Sequence, residues 1–301
     1  MEMTWLMRFR ILGVIAVGVL LVGWLGEPLV RPVDPQGAIT LYGGAIRVTD
    51  AAACLVLAAA AGAAAFFVAW PYGWYIAPLA APAGLCFWTL RSGTMLNLML
   101  YRPTVAERQE VYAALSWEGL FWLLVVAAGF AGAAAARALV RQTPPPIPGQ
   151  KEARRNKGSI VNGIGALLVS VVIGQVGIGL LAQDVRLFDA QIGSVVGQPG
   201  AGQIAFASFA SFAVAAFIAK RFFNTHFGVP VVASSVVVYV GIVLFASKPD
   251  ILQYMVDTYA PAFFPRSACA VLPLQMVAWS VPGAMAGYWM AIQMEYHRQQ
   301  K

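Results

Sequence analysis

A chain of 301 residues that is 60% hydrophobic and 11% charged, with a mean hydropathy of +0.72, lies far outside the composition of soluble domains and reads as an integral membrane protein. The net charge of +7 needs no nucleic-acid partner, because the basic residues crowd into a few short segments between apolar runs, as the positive-inside bias and attraction to anionic headgroups require.

Eight apolar runs are predicted to cross the membrane, each close to the 18 or so residues that about 30 Å of hydrocarbon demands. They cover 9–26, 51–70, 74–91, 116–137, 159–182, 203–219, 229–247 and 270–294. No soluble domain fits between them. Arg8 and Arg10 precede the first run, but VGWLGEP offers no small-x-small cleavage site, so the run is read as a retained helix. WPYGWY at 70–75 has the aromatic and turn residues of a tight hairpin anchored at the interface. Between the fourth and fifth runs, RQTPPPIPGQKEARRNKG combines four prolines with a basic cluster, which reads as an extended cytoplasmic linker. With the N-terminus inside, the inner segments hold 12 of the 20 Lys and Arg but three of the 13 Asp and Glu. A plasma (inner) membrane location with both termini cytoplasmic follows.

The motif V-R-x-x-D-x-Q occurs twice, as VRPVDPQ around Arg31 and Asp34 and as VRLFDAQ around Arg186 and Asp189, at an offset of 155. Further matches keep the order. AAF at 64–66 recurs at 215–217, and Y-x-P-x-x-x-x-R joins Tyr101, Pro103 and Arg108 to Tyr259, Pro261 and Arg266 at an offset of 158. SWEGLFW against PLQMVAW aligns Glu118 with Gln275 and Trp122 with Trp279 at 157. The chain therefore reads as a tandem duplication. The expected fold is an all-α integral membrane protein of eight transmembrane helices: residues 1–142 and 158–301 form two parallel four-helix repeats, joined by a linker at 143–157, about a pseudo-twofold axis along the membrane normal. An even number of crossings per unit makes the repeats parallel. Small-residue faces, VVAAGFAGAAAA in the fourth run and Gly283 with Gly287 in the eighth, point to those two helices at the axis, with the glycines of the fifth run as an alternative.

The helix centres are almost empty of ionisable groups. Asn162, Gln175, Ser234, Ser235, Tyr239 and Ser280 are read as hydrogen-bonding glue between helices. Cys54, Cys86 and Cys269 have no paired spacing, which argues for neither a disulfide nor a thiolate metal site. The layout of two four-helix repeats with long first outer loops is similar to that of the haem A synthases in topology. That family holds haem with paired histidines on its helices, whereas His226 and His297 fall in a turn and in the tail, so no cofactor is expected. Metalloprotease, nucleophile-elbow and P-loop motifs are missing from the sequence.

What stays polar and repeated is the outer face. One reading makes Arg31 with Asp34, and Arg186 with Asp189, local ion pairs that close their loops, worth about 0 to 1 kcal/mol each if exposed. The other makes these four, with Arg108, Arg266, Glu118 and Gln275, the rims of two related ligand cavities, no longer equivalent because one copy has lost the charge at the Glu118 position. The expected function is binding or transport of a small polar or amphipathic molecule. The alternatives are an accessory subunit of a larger membrane complex, with other membrane-protein subunits as partners beside lipid, and an enzyme acting on lipid headgroups.

Overall fold

A computed structural model describes residues 5–32, 34, 36–44, 46–141 and 158–299. Among them twelve α-helices follow in order: α1 (Trp5–Gly18), α2 (Leu25–Val30), α3 (Val48–Val68), α4 (Gly73–Ile76), α5 (Ala80–Arg91), α6 (Met95–Leu100), α7 (Val105–Val140), α8 (Gly158–Leu181), α9 (Ala201–Phe223), α10 (Gly228–Gly241), α11 (Pro249–Thr258) and α12 (Pro273–Gln299). A π-helical turn, Val19–Trp24, fuses α1 to α2, and another, Ile242–Ala246, extends α10. Among the described residues six helical segments are long and apolar enough to cross a bilayer: Trp5–Val30, Val48–Val68, Val105–Val140, Ile160–Leu181, Ala201–Phe223 and Gly228–Ala246. The chain is a multi-pass membrane protein.

Several elements depart from the expected ones. The run at 74–91 is built in pieces, α4, a 3-10 turn at Ala77–Leu79 and α5, because Pro78 and Pro82 each withhold a backbone donor. Helix α7 starts eleven residues before the apolar run does. Thr104 and Glu107 form a reciprocal capping box there, the Thr104 hydroxyl and backbone N–H facing the Glu107 carboxylate at 2.8 and 3.1 Å, so Arg108 lies on a helix and not in a loop. The chain is mostly helical, consistent with an all-α membrane protein, and a small antiparallel sheet is added to the helices. Strands β1 (Arg186–Asp189) and β2 (Gly193–Gly197) make a hairpin, and β3 (Phe263–Phe264) pairs with the end of β2. Val, Leu and Phe suit extended backbone, and Gly193, at φ +80°, supplies the left-handed residue of the turn. The expected linker at 143–157 lies outside the described residues.

Packing follows the small residues. Helices α3 and α7 form one intimate pair and α9 and α12 another. A methyl on Gly62 would fall 1.9 Å from the Gly129 carbonyl oxygen, and one on Gly132 would fall 1.8 Å from that of Ala59. In the other pair, a methyl on Gly287 would fall 1.9 Å from the Ala213 carbonyl oxygen and one on Gly283 2.2 Å from that of Phe209. Glycine is required at these crossings because the backbones themselves touch. Between halves, α5 packs on α12, α10 on α7, and α7 on α12. The fifth run, α8, packs on α9 and α10 instead, with Gly174 against Val237 and Phe212.

Two apolar cores result, and each takes residues from the opposite half. Leu274, Val277 and Val281 of α12 join the core around Trp88 and Trp122. Met95, Met99, Tyr112 and Leu115 join the core built from α8 to α11. Of the polar residues at depth, Gln175 does tie two helices, donating to the Val237 carbonyl at 2.8 Å, whereas Ser234 and Ser280 bond carbonyls of their own helices.

The connections at one end of the bundle interlock into a cap. Gly93 N–H donates to the Gly37 carbonyl at 3.0 Å. Gln198 bridges the halves, its side-chain oxygen accepting from Leu96 N–H at 3.0 Å while its amide donates to the Ala270 carbonyl at 3.1 Å.

Candidate functional site

The doubled motif has a local explanation. In the first copy the Asp34 carboxylate accepts the N–H of Gln36 at 3.0 Å, and in the second the Asp189 carboxylate accepts those of Gln191 and Ile192, both at 2.8 Å. D-x-Q is thus the signature of an Asx turn, in which a side chain stands in for the backbone acceptor. The expected Arg–Asp ion pairs are corrected by this: the carboxylates are spent on the backbone, and both Arg31 and Arg186 are exposed. Among the described residues the ion pair that forms is Arg91 with Glu27, at 3.4 Å.

Beyond that shared turn the two copies diverge. In the first, the chain after the turn lies against α7 and delivers donors to Glu118, which is 2% exposed. One carboxylate oxygen accepts the Thr40 hydroxyl and the Leu41 N–H, the latter at 3.1 Å, and the other accepts the Trp122 indole N–H at 2.7 Å. The carboxylate is a latch that fastens residues 40–41 to the helix. In the second copy Gln275 accepts the N–H of Leu272 at 3.2 Å and caps the start of α12, so Trp279 turns elsewhere and donates to Thr89 on α5 at 2.9 Å. Three donors converge on a charged carboxylate in one copy and a single donor meets a neutral amide in the other. This difference in donors suits a Glu at position 118 and a Gln at position 275.

Asp189 has a second set of partners, the phenol groups of Tyr254 and Tyr259 at 2.8 and 2.7 Å. The N–H of Ile192 first, and then the phenols and the N–H of Gln191, hold the carboxyl down to about 2, while the hydrogen bond to that carboxylate first, and then burial and its charge, push the Tyr259 phenol up to about 12. Arg266 donates to Ser194 on β2 at 3.0 Å and stacks over Phe245, so Arg186, Asp189 and Arg266 all belong to the sheet and its braces. Arg108 is buried and donates to the Arg102 carbonyl at 3.0 Å. The structure therefore gathers the eight candidate residues into separate settings: a latch, a hairpin clasp, a helix cap and loop braces.

Arg31 borders a sizeable recess. It opens at the end of the first span, is lined by Trp24, Leu25, Glu27, Pro28, Arg31 and Arg91, and has a volume of about 600 Å³. A smaller hollow of about 360 Å³ runs along the last turns of α12 beside Met290 and His297. Sequence reasoning missed Glu27, Arg91, Thr40 and Tyr254. Nothing local pairs Glu27 with Arg91 or Thr40 with Glu118, since each pair is more than 60 residues apart. Among the described residues no three His, Cys, Asp or Glu side chains group closely enough to hold a metal ion. Comparison with known proteins finds no matching family model, no matching curated protein and no matching solved structure.

Proposed function

We propose that this chain is a two-repeat protein of the plasma (inner) membrane that binds a small amphipathic molecule on its outer side, in the recess bordered by Arg31. The observation that carries the reading is the recess itself. It joins two guanidinium groups to an exposed indole and an exposed leucine at the end of a membrane-crossing helix, and Arg31 forms no ion pair among the described residues. Polar tips beside apolar walls are what an amphiphile needs. Retained-ligand counting by native mass spectrometry tests it. Purified protein should keep one amphiphile per chain, and Leu25→Trp, which fills the recess from an exposed position, should keep none while melting like wild type. Equal retention by both would end the proposal.

The architecture proposed with this function has eight spans in two parallel repeats. Support comes from the helix crossings: Gly62 against Gly129, and Ala213 against Gly287, are related by offsets of 151 and 158, the same offsets that relate the sequence matches. The reciprocal packing of α5 on α12 and α10 on α7 is likewise what a pseudo-twofold relation requires. Charge asymmetry argues for cytoplasmic termini. Reporter fusions should therefore be cytoplasmic at Lys151 and after Arg298 and external near Asp189. An external signal from Lys151 would refute that orientation.

A second reading, an accessory subunit, is favoured by one observation. Arg108, Glu118, Asp189, Arg266 and Gln275 spend their polar groups inside the chain. Stoichiometric copurification of other membrane proteins after mild extraction, with no retained amphiphile, would establish it.

A further inference from the structure

We infer that the Arg31 recess takes the monoanionic phosphodiester of a membrane lipid, with the lipid's tails lying on Trp24 and Leu25; this rests on the amphiphile reading above. Trp24 ends the π-helical turn, Pro28 lies within α2 and Arg31 is the extended residue that closes α2, and all three line the recess. The six residues of α2 between them rise about 9 Å, a length that carries a ligand from apolar contact at Trp24 to cationic contact at Arg31. Trp24 is 62% exposed and Leu25 51%, whereas Gly23 just before them is buried against Phe87. The apolar wall therefore faces outward, toward lipid.

The opposite wall is Arg91, the last residue of α5. Its guanidinium stacks over Phe87 at 5.4 Å and reaches Glu27 at 3.4 Å, which holds the fork at the mouth of the recess. The charges decide the ligand. Two guanidinium groups against one carboxylate leave the recess at +1, which a phosphodiester neutralises and a phosphomonoester overshoots. Guanidinium is also the side-chain group whose donor fork matches phosphate oxygens. Glu27 then acts as a placeholder, occupying Arg91 until phosphate oxygens replace its carboxylate.

The test compares three probes on the purified full chain in a neutral detergent: dihexanoyl phosphatidylglycerol, dihexanoylglycerol with the same tails and no phosphate, and glycerophosphoglycerol, the same phosphodiester with no tails. The phosphatidylglycerol should bind with a salt-weakened affinity and the other two at least about tenfold more weakly. Arg31→Gln and Arg91→Gln should each weaken it by about tenfold, the loss of one charge-assisted contact. Glu27→Gln should strengthen it several-fold by freeing Arg91. Both arginines are exposed, so these variants leave the fold alone. Dihexanoylglycerol binding as tightly as the phosphatidylglycerol, unaffected by either arginine, would overturn the phosphodiester while keeping the amphiphile reading. Equal binding of glycerophosphoglycerol would overturn the lipid and leave an anion site. Binding of none of the three would overturn both the inference and the reading under it.

Discussion

Glu118→Gln separates a latch from a ligand group. The carboxylate accepts three hydrogen bonds on two oxygens, from Thr40, Leu41 and Trp122. An amide has one accepting oxygen. Seated with that oxygen toward Thr40 and Leu41, it sets its NH2 against the indole N–H, 2.7 Å from where the carboxylate oxygen stood, and two buried donors confront each other. Seated the other way it strands the Leu41 N–H and leaves Thr40 to reorient, so the first arrangement is the cheaper. A buried donor left without an acceptor costs about 1–3 kcal/mol, and the lost charge assistance adds to that. The variant should therefore unfold a few degrees below wild type. Cys54, Cys86 and Cys269 are all buried, so a thiol-reactive dye added during heating in mild detergent reports the transition directly. A Trp122→Phe background removes the opposing donor, and in it Glu118→Gln should cost at least about 1 kcal/mol less, a coupling that a double-mutant cycle reads out. A Glu118→Gln protein that melts with wild type, with no coupling to Trp122, would refute the latch.

The hairpin clasp makes a pH prediction. Asp189 is held at about 2, below the ordinary 3.8, so its contribution to stability is complete above the unfolded value and is lost as pH falls through the interval down to about 2. Asp189→Asn should abolish that acid-sensitive component and let the Tyr259 phenol, now pushed up to about 12, ionise closer to 10 in an alkaline absorbance titration; an unchanged titration would show that the carboxylate does not control the phenol. Gly287→Ala and Gly132→Ala each drive a methyl into a carbonyl at 1.9 and 1.8 Å and should sharply reduce the yield of monodisperse protein, whereas Gly163→Ala and Gly179→Ala meet nothing within 4 Å and should behave as wild type in size-exclusion chromatography.

The amino-acid sequence by itself determined the membrane class, because the cost of exposing or burying each residue is nearly independent of its partners and adds up along a run. It also determined the motifs that close on themselves. D-x-Q builds an Asx turn at both Asp34 and Asp189, and T-x-x-E at Thr104 starts α7 ahead of the apolar run. Only the tertiary structure decided what each copy of a shared motif would become. The same V-R-x-x-D-x-Q leads in one half to a segment latched on Glu118 and in the other to a hairpin clasped by Tyr254 and Tyr259, and those partners lie between 65 and 78 residues away. The Arg91–Glu27 pair, and with it the recess beside Arg31, arises because two helix ends meet there. Nothing in a local pattern encodes such a meeting. It is set by where backbones can touch, at Gly62 on Gly129 and Gly287 on Ala213, and close packing then leaves each polar side chain one set of donors within reach.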